Sequence, residues 1–221
     1  MRTTWMIVGL VVLLGSPVFG QWVPIKGTRT STIQIIGTDG RVTSHRETHE
    51  RYFRSSSGSI LIQHVAEDGG NRAASGLLLD SGNSGKSYQV DYSGAVANDL
   101  HRPAKPVPAR TGADLATAKQ QEELEESTYN GMKCLIASIK ITGSDGKKTT
   151  IGKGWAVPDY NFLMVKEDTI RPLPDGRYVH TVREMGDLEA GVEPDPALFA
   201  TDSSAIKRAR TITVPHKAPQ P

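Results

Sequence analysis

A chain of 221 residues with 37% hydrophobic content, 22 glycines and 13 prolines holds enough apolar material for one turn-rich core, which excludes a wholly disordered chain. Its 26 lysines and arginines against 24 acids leave a formal net charge of +2, which excludes the strongly basic footprint of a nucleic-acid binder. A single cysteine, Cys134, excludes an intrachain disulfide, so stability has to come from packing.

Residues 1–20, MRTTWMIVGLVVLLGSPVFG, place one cation, Arg2, before an apolar run from Met6 to Leu14. Gly15-Ser16-Pro17 breaks that run, and Val18 and Gly20 are small enough for a signal-peptidase site. The pattern predicts a signal peptide over 1–20, cut near Gly20–Gln21, and a periplasmic or secreted chain. The run is too short for a retained anchor, and no later segment is apolar enough to span a bilayer, so the chain is expected not to be integral to a membrane.

From Thr28 onward, β-rich segments alternate with turn signals. TSTIQII leads to the turn GTDG, RVTSHRETHERYFR to SSSG, SILIQHV to EDGGN, SGLLLD to SGNSG, and SYQVDY to a long loop. Later come MKCLIASIKIT, TTIGKGWAV, NFLMVKE and RYVHTVRE, with apolar residues recurring at a period of two. This spacing predicts a mainly β (α+β) fold: a curved antiparallel sheet or half-barrel, forming one β-rich domain over 21–201.

Between the two strand groups, three prolines in LHRPAKPVPARTG predict an extended loop over 100–112. TGADLATAKQQEELEES predicts one covering helix at about 112–124, opened by a capping-box-like pair, Thr111 and Asp114. From Asp202 the chain carries Lys207, Arg208, Arg210 and Lys217 with few large apolar side chains, and 202–221 reads as a basic disordered tail. Its cations suit an anionic membrane surface or an envelope protein.

Three stretches imitate chemistry. HRETH, from His45 to His49, resembles a zinc-protease motif, but Arg46 stands where the glutamate belongs, and the surrounding pattern is strand. Two strand histidines four residues apart lie roughly 13 Å apart, too far to share one metal. LLLDSGNSGKS imitates a phosphate loop, but Asp80 occupies the leading glycine position and SYQVDY continues as strand, so it reads as a hairpin turn. Asp195 in EPDPALF is placed to start a short helical turn. Cys134, inside the apolar MKCLIASI, is expected to be a buried thiol rather than a nucleophile. No nucleophile elbow or acid/base set emerges, so no enzyme, metal or cofactor is expected.

YNGMKCLIASIKITG, GWAVPDYNFLMVKED, GRYVHTVREM and GVEPDPALF together resemble the C-terminal half of a family of β-rich exported bacterial proteins. YFRSSSGSI resembles the arginine-turn-strand that opens that family's sheet, although Ser55 and Ser59 replace an acidic and a basic residue common there. The family is distantly similar to LolA-like lipoprotein carriers. That resemblance implies a curved half-barrel with an apolar hollow for acyl chains, hence a non-catalytic binding module for an apolar or acylated ligand such as a lipid or lipoprotein. Ile60, Ile62, Leu135, Ile139, Phe162 and Met164 are the expected ligand-binding residues. The alternative is an envelope interaction or scaffold protein without a small ligand.

Overall fold

The structure, a computed structural model, describes residues 22–65, 72–104, 124–142 and 146–212. Eleven antiparallel strands form one sheet in the order β6-β5-β4-β3-β2-β1-β11-β10-β9-β8-β7. The strands are β1 (Ile25–Ile36), β2 (Val42–Arg54), β3 (Ile60–Val65), β4 (Ala73–Asp80), β5 (Lys86–Asp91), β6 (Val96–Pro103), β7 (Glu125–Tyr129), β8 (Met132–Thr142), β9 (Lys148–Val157), β10 (Leu163–Pro172) and β11 (Tyr178–Ala190). The chain therefore starts in the middle of the sheet and meanders out to β6. It resumes at the opposite edge with β7 and meanders back until β11 pairs with β1. The two edge strands stay apart, so the sheet is open rather than a closed barrel.

Turn chemistry fixes the hairpins. Gly40, Gly131, Gly146 and Gly176 take positive φ, which side chains with a Cβ resist, at the turns that the sequence marks with glycine. In the β4–β5 hairpin, Asp80 accepts from Ser84 N, Asn83 Nδ2 and Ser59 Oγ at 3.0, 2.9 and 3.0 Å. The phosphate-loop imitation is thus a turn organised around its own aspartate. Asp195 accepts from Ala197 N at 2.9 Å and opens a short 3-10 turn, Pro196–Phe199, as its place between prolines predicts.

One core lies under the outer half of the sheet. Phe53, Leu61, Leu78, Val90 and Tyr92 pack there against Leu198, Phe199, Ile206 and Ala209. The last two belong to a helix, α1 (Ser203–Ala209), and this corrects the expected disordered tail for residues 202–212. Seven residues are too few for a helix to persist by itself; tertiary contacts hold this one. Asp202 caps it by accepting from Ser204 N and Ala205 N. Ile206 and Ala209, one turn apart, are each 1% exposed. At the other end Gln63 Nε2 donates to Ala209 O and Ala73 N to Arg210 O, which serves carbonyls at the helix terminus, and Arg51 Nη1 donates to Ile212 O just beyond it. The domain thus runs at least to Ile212, and α1 covers the sheet. The expected signal peptide, most of the proline-rich loop, the helix at about 112–124 up to residue 123, and the last nine residues lie outside the described residues. Leu100 to Pro103 belong to β6 rather than to a loop.

Tyr92 sits in this core, 2% exposed, its hydroxyl accepting from Gln63 Nε2 at 2.8 Å. Burial pushes its pKa from 10.0 up to about 12. Below pH 10 folded and unfolded chains both keep the proton and the contribution is intact. Above it only the unfolded chain ionises, so stability falls as pH rises from 10 to 12, by about 2 to 3 kcal/mol in total. Urea midpoints at pH 9 and 12 should show this loss, and a smaller one in Tyr92→Phe.

A second core fills the place where β10 parts from β11. These strands pair only from Lys166 with Glu184 onward, while Leu163 and Met164 pair with β9 alone. Ile25, Tyr52, Val157, Leu163, Val165 and Met185 pack into that region, and Cys134, 3% exposed, joins them. Burial pushes the Cys134 thiol pKa up, in keeping with an inert core cysteine. Arg54 locks this end. Its guanidinium donates to Val23 O at 3.0 Å and to Tyr160 O at 2.7 Å, and lies 4.9 Å from the Trp22 ring. Tyr160 lies in the 3-10 turn between β9 and β10, and β10 stands three strand spacings from β2. Flat, that separation is about 14 Å. One side chain closes it only because the sheet is curled.

Candidate functional site

Strand register decides which side chains share a face. Ala137, Gly154, Glu167, Arg183, Ser31 and Thr48 form one row across β8, β9, β10, β11, β1 and β2. The adjacent row is Ile139, Gly152, Thr169, Thr181, Ile33 and Arg46. Beyond it stand Arg171, Val179, Ile35 and Ser44.

The two glycines of β9 shape this face. At Gly152 the missing side chain lets the β10 backbone come close, and the space over Gly154 is taken by Met164 Sδ, Met164 Cε and Ile139 Cδ1. A groove of about 350 Å³ lies on the same face, lined by Ile139 on β8 and by Glu167, Thr169 and Arg171 on β10. Ile139, Ile151, Leu173 and Val179 are its apolar lining, and Thr169 and Thr181 add hydroxyls. Arg183 Nη1 donates to Glu167 Oε2 at 2.8 Å, so one rim charge is neutralised. Arg171, exposed on the same rim, has no carboxylate partner among the described residues.

Of the six residues expected to bind ligand, Ile60, Ile62, Leu135, Ile139 and Met164 fall on this one face by register, but they are not gathered into one site. Only Ile139 lines the groove. Met164, 36% exposed, stands beside it at Gly154, where an added Cβ would lie 2.7 Å from Met164 Sδ and 3.4 Å from Ile139 Cδ1. Ile60 and Ile62 pack against the second core, and Leu135 is buried. Phe162 sits in the turn before β10 with φ of 58°. Sequence reading missed Ile151, Leu173, Val179 and Arg171. The available signal was GKG inside TTIGKGWAV, since a glycine inside a strand marks a close approach of a neighbouring backbone or side chain.

HRETH lies within β2, with His45 opposite Gln34 and His49 opposite Thr30. The two rings stand two rows apart, and His49 Nε2 lies 3.2 Å from Glu47 Oε1. Among the described residues no group of three His, Cys, Asp or Glu is arranged to hold a metal ion. A polar cleft of about 510 Å³ lies where the β4–β5 turn meets the C-terminal segment, beside Ser55, Asp80, Asn83, Glu193 and Asp202. Burial opposes the charge on Asp80, yet hydrogen bonds from Ser84, Ser59 and Asn83 hold its carboxyl below the usual value. This carboxylate organises a turn and is already saturated with donors.

No protein-family model matches the sequence, and no curated protein matches it. The chain is structurally similar to a DUF1329 family protein from Desulfovibrio piger, at 13% identity and a TM-score of 0.34, over 82% of this chain and 91% of that one. It is similar also to a LolA superfamily protein from Nitrosomonas europaea, at 10% identity and a TM-score of 0.35, with the same coverage of both chains. No helix among the described residues is long and apolar enough to cross a membrane.

Proposed function

We propose that this chain is an exported, non-catalytic binding module that takes an apolar or acylated ligand in the groove beside Ile139. The observation that carries the reading is the groove whose apolar wall is Ile139, Ile151, Leu173 and Val179. An alkyl chain lying there would displace water from the partly exposed Ile139, Leu173 and Val179, a gain of about 25 cal/mol per Å² buried. Arg171 at the rim suits the carboxylate or phosphate that ends such a chain. The leader-like N-terminus supports export.

A second reading, an interaction module without a small ligand, draws on the opposite face. Val42, Ile36, Tyr178 and Pro172 form one row across β2, β1, β11 and β10, and Val42 and Tyr178 are 52% and 45% exposed. Such a strip suits a protein surface better than a single chain.

Titration of an environment-sensitive fatty-acid probe into delipidated protein separates the readings. Saturable one-to-one binding is expected, weakened about tenfold, or ~1.4 kcal/mol, by Ile139→Asp with little change in thermal stability. Absence of saturable binding to fatty acids, phospholipids and acylated peptides would favour the interaction module.

A further inference from the structure

The segment read from sequence as a loose basic tail instead fixes its cations in place. Lys207 and Arg210, at the C-terminal end of α1, stand with Arg72, just before β4, around a cleft of about 290 Å³. Tyr92, Ser93 and Thr211 complete the wall. The volume equals that of about ten water molecules in the liquid, room for a phosphate and the first atoms it esterifies.

The charges there are only partly balanced, with three cations near one carboxylate, Asp91. None of Arg72, Lys207 and Arg210 forms an ion pair among the described residues, whereas their neighbour Arg208 is paired with Asp195 at 2.5 Å. Arg51, beside Tyr92 and donating to Ile212 O, adds positive charge behind the wall. The nearby carboxylate, Asp91, accepts from Ser93 N at 2.8 Å and from Ser93 Oγ at 2.6 Å, and these bonds, with a smaller contribution from the Arg210 charge, hold its carboxyl below the usual value. Arg210 Nε is buried and meets no acceptor among the described residues. An unmet buried donor costs about 1–3 kcal/mol, and more when charged, so the site lacks an acceptor rather than a donor. Three convergent cations, two of them planar guanidinium forks, match the oxygens of a phosphate better than those of a lone carboxylate.

We propose that Arg72, Lys207 and Arg210 form a binding site for a phosphate group, either free or at the head of a lipid. The site is separate from the Ile139 groove and does not depend on that groove holding an acyl chain.

The test uses the full chain in two arms, inorganic phosphate by calorimetry and vesicles of phosphatidylglycerol against phosphatidylcholine by co-sedimentation. Arg72→Gln/Lys207→Gln changes two exposed side chains and spares the fold. Lys133→Gln/Lys140→Gln on β8 removes the same charge elsewhere. The expected result is saturable binding in at least one arm, weakened tenfold or more by the first double variant and under threefold by the second. Saturation by inorganic phosphate assigns a free phosphate, and binding confined to phosphatidylglycerol vesicles assigns a headgroup. No saturation in either arm, or equal weakening by both double variants, would overturn the site.

Discussion

Replacing Arg54 with methionine should cost the fold about 3–5 kcal/mol, read as a drop in urea midpoint and a fall in Tm of about 10 °C. The side chain is 2% exposed and its guanidinium serves three partners from two separate parts of the chain, Trp22–Val23 and Tyr160. Methionine keeps much of the volume but strands the carbonyls of Val23 and Tyr160 without donors. Each such loss is worth about 1.5–3 kcal/mol when the donor is charged. Val23 is also tied to the β9–β10 turn through Asn161 Oδ1, which accepts from Val23 N at 2.7 Å, so entry strand, turn and β2 loosen together. Arg54→Lys should recover only part of the loss, because an ammonium cannot reach both carbonyls in the guanidinium plane. A cost below about 1 kcal/mol would mean that water already serves those carbonyls and that the sheet's curl does not depend on this residue.

Gly152→Ala should be nearly as damaging, at about 3–4 kcal/mol, whereas Gly154→Ala should cost under about 1.5 kcal/mol. At Gly152 an added Cβ would overlap Asp168 O and lie 2.7 Å from Thr169 Cα. Both obstacles are backbone of the paired strand, so relief requires β9 and β10 to separate. At Gly154 the obstacles are Met164 Sδ at 2.7 Å and Cε at 2.9 Å, the far end of a flexible side chain. The pair therefore separates fold from groove. Gly154→Ala is expected to leave a folded protein in which Met164 and Ile139 shift, with weaker probe binding. Equal thermal stabilities of the two variants would contradict the close strand approach at Gly152.

Much of the sheet was legible because its strands are local patterns: β3, β5 and β8 lie within one or two residues of SILIQHV, SYQVDY and MKCLIASIKIT. Glycine at positive φ made the hairpins legible too. Edge strands were not. VANDLHRP pairs on one side only, so β6 tolerates Asn, Asp and His where an inner strand would show β-branched residues. The helix α1 was hidden for another reason. Its stability resides in Ile206 and Ala209 meeting a core built from residues 53–97, and in donors from Arg51, Gln63 and Ala73. No window of the C-terminal sequence contains those partners. The groove was half visible. Ile139 could be named as an apolar strand residue, but its pairing with Gly152, and hence the missing side chain beside it, depends on register across β8 and β9. Arg72 meets Lys207 and Arg210 only after the chain has laid down the whole sheet between them.

The groove at Ile139 is tested most directly by methyl NMR of isoleucine-labelled protein during titration with a long-chain fatty acid. Ile139 and Ile151 line the groove, while Ile25 and Ile206 are 0% and 1% exposed in the two cores. Saturable shifts of the Ile139 and Ile151 methyls, with those of Ile25 and Ile206 unmoved, are expected. Shifts confined to the core isoleucines, or none at saturating ligand, would contradict the groove as the binding site.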